Sequence, residues 1–379
     1  MTRQKRTASD VQSACAGSAA STTLCLTMIV KDEAQVIARC LSSVAPFIDY
    51  WVVVDTGSTD DTIAIVRERL ADIPGTIVER PWVNFGHNRN EALELAKGKA
   101  EFLLTIDADE VLEFEQDFRW PVLDADLYAI RTHVGSYTFA RGYLMRSSLP
   151  WRYEGVLHER PVCAGHRVAT RWLEGVDVMS YGDGGRSHLP NRFETEVSTL
   201  ESALVDEPDN RSYRFFLANA LVNLGELERA MSLYHEFTDQ GRNDYAAWFA
   251  HYQTGIIKER LEKPWTECQQ SYQEAFDLDP TRAEPLYRLI RAARLRGDYA
   301  TGMSLGEIAV NIPTPRVFEP VDNAIYDFLL PSEYAICCQE SGYPERATKI
   351  YDDLLTRPDL PSQVRILVEN NRRLAVAAN

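Results

Sequence analysis

Three acids crowd into four positions at the end of an apolar run. In LLTIDADEVL, residues 103–112, mostly apolar residues lead straight into Asp107, Ala108, Asp109 and Glu110. Like charges this close repel each other and are costly to desolvate, so the segment calls for a cation. Asp107 and Asp109 stand on either side of the small Ala108 in an extended stretch. Hard carboxylate oxygens suit Mg²⁺ or Mn²⁺, and a divalent ion at such a site also holds substrate phosphates. A second acid stands in a comparable place. In VVVDTGSTDDT (52–62) a β-branched run ends at Asp55, and a Gly–Ser–Thr turn opens a helix. A carboxylate there can accept hydrogen bonds from a base or a ribose; it can equally belong to an ordinary capped turn.

The elements that must position these acids alternate in type. LCLTMIV (24–30), YWVVVD (50–55), GTIVER (75–80) and EFLLTID (101–107) read as buried strands. DEAQVIARCLSSV (32–44), STDDTIAIVRERL (58–70) and GHNRNEALELAKG (86–98) read as helices, the last closed by Gly98. Such alternation predicts crossover units and a parallel sheet. In these sheets ligands sit at the carboxyl ends of the strands, where Asp55 and Asp107 fall. Over 126–180 the shorter runs DLYAIRTHV, GYLMR and RPVCAG read as strands around loops, the acceptor-side half of the same domain.

From about residue 190 the strand patterns stop. Ala218, Gly225, Ala230 and Tyr234 set a spacing that Ala335, Gly342, Ala347 and Tyr351 repeat, and Ile290, Gly297, Gly302 and Gly306 keep the frame with weaker residues. Small residues let two helices cross closely, the glycine ends the first helix, and the aromatic packs on the neighbour. The pattern resembles tetratricopeptide repeats, in about four degenerate copies; a generic helical bundle is the alternative. The expected domains are a disordered tail over 1–22, an α/β domain over 23–190 and a helical-repeat domain over 191–379.

Composition narrows the function. The chain has 379 residues, 45% hydrophobic and 25% charged, the profile of globular domains with sizeable cores. A net charge of −16 argues against a nucleic-acid binder. It would also oppose a phosphate ligand unless a metal supplied positive charge. No run approaches the roughly 20 apolar residues of a membrane span. The seven cysteines are scattered without a CxxC pair and read as reduced thiols. The opening MTRQKRTASDVQSACAGSAASTT lacks the apolar core of a secretory signal, and the expected location is cytoplasmic.

Taken together, MIVKDE (28–33), VVVDTGSTDDT (52–62), NRNEALELAKG (88–98) and TIDADE (105–110) resemble the family 2 glycosyltransferases with the GT-A fold. The likeness is to the subgroup with helical repeats after the catalytic domain. That subgroup includes sugar transferases of the lipopolysaccharide-core type and is similar to the peptide S-glycosyltransferases that modify bacteriocins. The resemblance implies a GT-A domain, an α/β fold with a Rossmann-like mixed sheet, followed by an all-α TPR-like domain. It implies an inverting, metal-dependent transfer of a sugar from a nucleotide-sugar donor, a UDP-sugar foremost, to a peptide, protein or other acceptor. Asp55 would bond the uracil or equivalent base, Val30 and Glu33 would lie near the nucleotide, and Arg89 would face the base or diphosphate. Asp107 would contact the ribose or the metal, and Asp109 would bind the Mg²⁺ or Mn²⁺ directly. His188, in GGRSHLPNRF, is a candidate third ligand, although the subgroup carries a His–x–Gly–Tyr-like segment there; Arg186 and Arg192 could reach phosphates.

An inverting transfer also needs a base for the acceptor's proton. Many family 2 enzymes supply it from a Glu–Asp pair, which this chain lacks. WRYEGVLHER (151–160) stands in its place and is similar to a Gly-x-x-His-Glu of the subgroup. Glu159 is then the implied base, with His158 supporting it or contacting the diphosphate, and Glu154 is the rival. The repeats would hold a peptide or protein acceptor, or join two copies of the chain. The alternative is a non-catalytic TPR scaffold with a vestigial transferase domain. A nucleotidyltransferase would carry a Gly-rich basic loop after the first strand, where this chain has VKDEAQ.

Overall fold

The computed structural model describes residues 5–6, 22–116, 118–238 and 244–377, and of His188 only the backbone. Most of the expected tail and the His188 side chain therefore lie outside the described residues. The chain divides into two compact units, one ending at Ala220 and one beginning at Leu221. The helix α4 (Arg192–Asp206) thus belongs with the α/β unit rather than with the repeats.

Four strands of the first unit are parallel, in the order β4-β1-β2-β3: β1 (Leu24–Val30), β2 (Tyr50–Asp55), β3 (Gly75–Glu79) and β4 (Phe102–Thr105). The apolar runs of β1, β2 and β4 are buried on both faces because helices cover both, whereas β3 is the partly exposed edge. Leu24, Leu26 and Met28 pack with Ile37, Leu41 and Val44 of α1 (Ile37–Val44) and with Val66 of α2 (Thr62–Arg69). Cys25, Val52 and Leu103 turn the other way, onto Leu93 and Ala96 of α3 (Phe85–Ala96). Register pairs Val30 with Asp55 and Thr27 with Thr105, so the strands' carboxyl ends share one edge.

The rest of the sheet is mixed. It uses β5 (Glu110–Glu115), β6 (Leu127–Val134), β7 (Tyr137–Arg146) and β10 (Thr170–Ser180). β7 joins β4 antiparallel, β6 joins β7 antiparallel, β10 joins β6 parallel, and β5 closes on β10 antiparallel. The two-residue strand Lys5–Arg6 pairs with the outer side of β5. β8 (Trp151–Glu154) and β9 (Arg160–Cys163) form a separate ribbon. Neither β5 nor β10 was expected from the sequence. In β5 the acids alternate with buried Leu112 and Phe114, so its half-buried period reads as an acidic loop until its partner is known.

α5 (Arg211–Leu224) runs across the division between the units. The second unit is helical: α6 (Leu227–Thr238), α7 (Tyr245–Arg260), α8 (Trp265–Leu278), α9 (Glu284–Leu295), α10 (Tyr299–Ala309), α11 (Leu330–Glu340), α12 (Pro344–Leu355) and α13 (Ser362–Ala377). The expected spacing does what was argued. Ala335, Ala347 and Tyr351 are fully buried, and Gly342 ends α11 at φ 87°. A Cβ at Gly302 would stand 2.5 Å from Cys337 Sγ, and one at Gly306 would collide with the Tyr334 ring. Gly306→Ala sets helix propensity, which favours alanine by about 1 kcal/mol, against overpacking, which costs about 1–3 kcal/mol. The buried Tyr334 cannot swing away, so urea unfolding is expected to show a net loss of stability. A gain would mean that the helices do not cross closely there. No described helix is long and apolar enough to cross a membrane.

Candidate active site

The first and second crossover loops are stitched together by side chains. Asp32 adopts φ 52° and its Oδ1 accepts from Thr59 N at 2.7 Å. The N–H groups of Asp32, Glu33 and Ala34 donate to Ser58 Oγ (3.0 Å), Thr62 Oγ1 (2.8 Å) and Asp60 Oδ2 (3.0 Å). The sequence puts Ser58 and Thr59 at the capping position of a helix and the acids at 60 and 61 in its first turn. Ser58 Oγ goes to the neighbouring loop, whereas Asp60 serves both that loop and its own helix, its Oδ1 accepting from Thr62 N at 3.0 Å where α2 opens. Asp55, 2% exposed, closes its own turn by accepting from Gly57 N and Ser58 N, each at 3.0 Å. The Val30 carbonyl accepts from Thr56 N at 2.9 Å.

Beyond β4 the acids separate in role. Asp107 Oδ1 accepts from Arg89 Nη2 at 2.6 Å and Oδ2 from Arg141 Nη1 at 3.0 Å. Burial alone would raise its pKa, but the two guanidinium groups outweigh that and hold Asp107 well below the carboxylate range. Glu110 lies underneath, 3% exposed, accepting from Arg141 Nη2 at 2.6 Å and Tyr143 OH at 3.1 Å. Burial pushes it up to about 7.

Asp109 and Glu33 face each other without an arginine side-chain partner among the described residues. A Cβ at Gly184 would stand 3.1 Å from Glu33 Oε2 and 3.4 Å from Asp109 Cγ, so the chain passes closely between the two carboxylates. Gly185 N donates to Glu33 Oε2 at 3.1 Å. Burial, joined by Asp109 and Asp107, raises Glu33 to about 7; burial and then Asp107 raise Asp109. Arg39 steadies the segment, bonding Asp183 and stacking over Tyr181 at 4.3 Å.

These raised groups fix a pH dependence. Between the ordinary value of 4.5 and about 7, folded Glu33 keeps a proton that the unfolded chain has lost. Its contribution is therefore full below 4.5 and is lost as pH rises through about 7. In metal-free protein, Glu33→Gln is expected to raise the melting temperature at about pH 8 and to leave it unchanged near pH 4.5. Equal shifts at both pH values would contradict the cause.

The acceptor-side loop is built onto α3. Asn90 clasps β8, its Nδ2 donating to Tyr153 O at 3.0 Å and its Oδ1 accepting from Tyr153 N at 2.7 Å. Gly86 leaves room for the Gly155 carbonyl, which a side chain there would strike. The loop turns sharply, with Gly155 at φ 117° and His158 at φ 52°. It delivers Glu159, whose side chain is 10% exposed, onto Arg89 Nε. His158 stacks on Phe216 at 4.3 Å, and burial lowers its pKa. Glu154, 43% exposed, pairs outward with Arg152. Arg192 donates to Glu196 at 3.1 Å, and Arg186 lies over Phe85 at 4.8 Å.

Asp55, Glu33, Asp107, Asp109, Arg89 and Glu159 thus share one edge of the sheet. Arg89, expected to face the base or diphosphate, is 7% exposed and ties Asp107 to Glu159. Arg141, Asn90, Gly86 and Gly184 escaped the sequence reading. The repeated asparagines of NRN flank Arg89 and hinted at the clasp, but nothing in RGYLMR marks Arg141.

Residues 25–118 match the family model Glycosyl transferase family 2. A TPR repeat-containing protein of Synechococcus elongatus is 30% identical over 245 residues, covering 60% of this chain and 59% of its own length. The SPbeta prophage-derived glycosyltransferase SunS of Bacillus subtilis is 26% identical over 254 residues, 61% of this chain and 58% of its own. An uncharacterized glycosyltransferase of Rickettsia felis is 36% identical over 88 residues, 23% of this chain and 29% of its own. The chain therefore spans under two thirds of each relative's length. Among solved structures, the C-terminal part of a TPR repeat-containing protein from Cytophaga hutchinsonii covers 50% of this chain and 67% of its own at 14% identity, with a TM-score of 0.40. The repeat character of the second unit rests on its own helix contacts.

The family 2 segment supplies Glu33, Asp55, Arg89, Asp107 and Asp109, whereas Arg141 and Glu159 come from the strands that follow it. Among the described residues no group of three or more His, Cys, Asp and Glu side chains is placed to hold a metal. The carboxylates of Asp109 and Glu33, both raised by burial and by neighbouring acids, are hard oxygen donors of the kind a divalent cation takes. Asp107 fits less well, because both of its oxygens already accept guanidinium N–H groups.

Proposed function

We propose that the α/β unit transfers a glycosyl group, with inversion, from a nucleotide-sugar donor, a UDP-sugar foremost, to a peptide or protein acceptor held by the helical repeats. The observation that carries this reading is the convergence of the family 2 acids with Glu159 at the carboxyl edge of β1, β2 and β4. Asp55 and the Val30 end of β1 would take the base, and Asp107, fixed by Arg89 and Arg141, the ribose. Asp109, with Glu33 beside it, would hold Mg²⁺ or Mn²⁺, which when bound supplies Lewis-acid charge for the diphosphate. Glu159 would accept the acceptor's proton as its nucleophile bonds the anomeric carbon. The bond from that carbon to the diphosphate breaks, and the diphosphate leaves with the electron pair. Neutral His158 could donate one hydrogen bond to it. The six described cysteines are free and buried, as in a reducing compartment, which supports a cytoplasmic setting.

The test is a binding and hydrolysis screen with UDP-, GDP- and dTDP-sugars, in Mn²⁺ and in EDTA. One donor is expected to bind and hydrolyse slowly, with Mn²⁺ only, and Asp109→Ala should lose both. No binding to any donor under either condition would overturn the reading and leave a repeat scaffold.

A further inference from the structure

The repeat unit contains a cavity of about 370 Å³, lined by residues of α9, α11 and α13. That volume lies within the ~300–1,000 Å³ of ligand pockets, enough for two or three residues of a peptide. Its apolar lining comes from α13, through Val364, Leu367 and Leu374, and from Leu329 and Ile336. Val364, Leu367, Asn371 and Leu374 recur at steps of three and four and all line the cavity. Leu367 is 51% exposed and Leu374 is 62% exposed.

The opposite wall, on α11, sets polar groups beside Ile336, and two of them are unsatisfied. Ser332 is 8% exposed and its Oγ lacks a hydrogen-bond partner, as does the buried Oε1 of Gln339. Buried polar atoms without partners cost about 1–3 kcal/mol each and are rare in folded proteins unless something else satisfies them. The lining charges are unequal as well. Arg294 is committed to Glu333, whereas Glu340 has no cationic partner among the described residues. The charge left over is a carboxylate, in a chain of net charge −16.

We propose that this cavity binds a peptide segment carrying one large apolar side chain close to a lysine or arginine. The apolar group covers Leu367 and Leu374. The basic group meets Glu340, and segment N–H groups donate to Gln339 Oε1 and Ser332 Oγ. This deepens the acceptor role proposed above for the repeats and rests on it only for the identity of the partner.

The test uses the full chain and fluorescein-labelled short peptides in a Gly/Ser background, carrying Leu with Lys, Leu with Glu, or Ser with Lys. Anisotropy is expected to show the Leu–Lys peptide binding about tenfold more tightly than either control. Glu340→Lys should reverse the preference towards the Leu–Glu peptide, and Leu367→Ser should weaken both Leu peptides. Both positions are exposed, so these variants are expected to fold. Equal binding of all three peptides, or variants that bind as the parent does, overturns the proposal. The donor screen is read separately. Peptide binding without donor binding would sink only the transferase, and donor binding without peptide binding only this inference.

Discussion

Glu159→Gln is expected to keep donor affinity within a few-fold and to lose glycosyl transfer by about 10²–10⁴-fold, the usual worth of a positioned general base. The glutamine has nearly the same shape and can still accept from Arg89 Nε, so the loop should stay in place. Only the proton acceptor is removed. Glu154→Gln is the internal comparison. Its side chain is 43% exposed and turned towards Arg152, and its loss is expected to change the rate by less than about threefold. Single-turnover transfer, or donor hydrolysis with water as the acceptor, reads both variants beside the donor dissociation constant. A reversed outcome, with Glu154→Gln inactive and Glu159→Gln active, would move the base to the β8 strand. A loss of donor affinity equal to the loss of rate would make Glu159 part of the donor site.

How far the sequence reaches can be judged from particular residues. The parallel half of the sheet was readable because each strand is a short apolar run that stops at a turn. The placing of Asp55 and Asp107 followed from the rule about carboxyl ends. What stayed hidden was long-range pairing. Arg141 sits in an unremarkable stretch of β7 and matters only because β7 lies beside β4, an antiparallel neighbour that no local pattern announces. Ser58, Asp60 and Thr62 show the opposite case. Their types mark a helix start, but tertiary structure also gives them another loop to bond, and only Asp60 serves both. Arg89 stands out by its position, but its ties to Asp107 and Glu159 do not, because sequence shows that an arginine is near acids and not which ones it will touch.

Arg89→Met is expected to cost about 3–5 kcal/mol, the range for removing one partner of a buried ion pair. Asp107 keeps Arg141, but Glu159, 10% exposed, is left with its charge uncompensated, and the contact over the Tyr153 ring at 5.5 Å is lost. Arg89→Lys separates charge from shape. A lysine restores the positive charge but carries its donors on one nitrogen, without the planar fork that reaches two separate carboxylates, so it is expected to recover part of the stability and little of the transfer rate. The pH dependence gives a further check with a definite sign. Asp107 is depressed in the folded state, so its contribution is present above the ordinary 3.8 and is lost as pH falls through the lower folded value. Part of that depression comes from Arg89. The stability gap between parent and Arg89→Met should therefore narrow as urea unfolding is repeated from about pH 7 towards pH 3. A gap that is small at neutral pH and constant below it would mean that Arg89 does not couple the two carboxylates. The donor acid and the base would then be positioned independently.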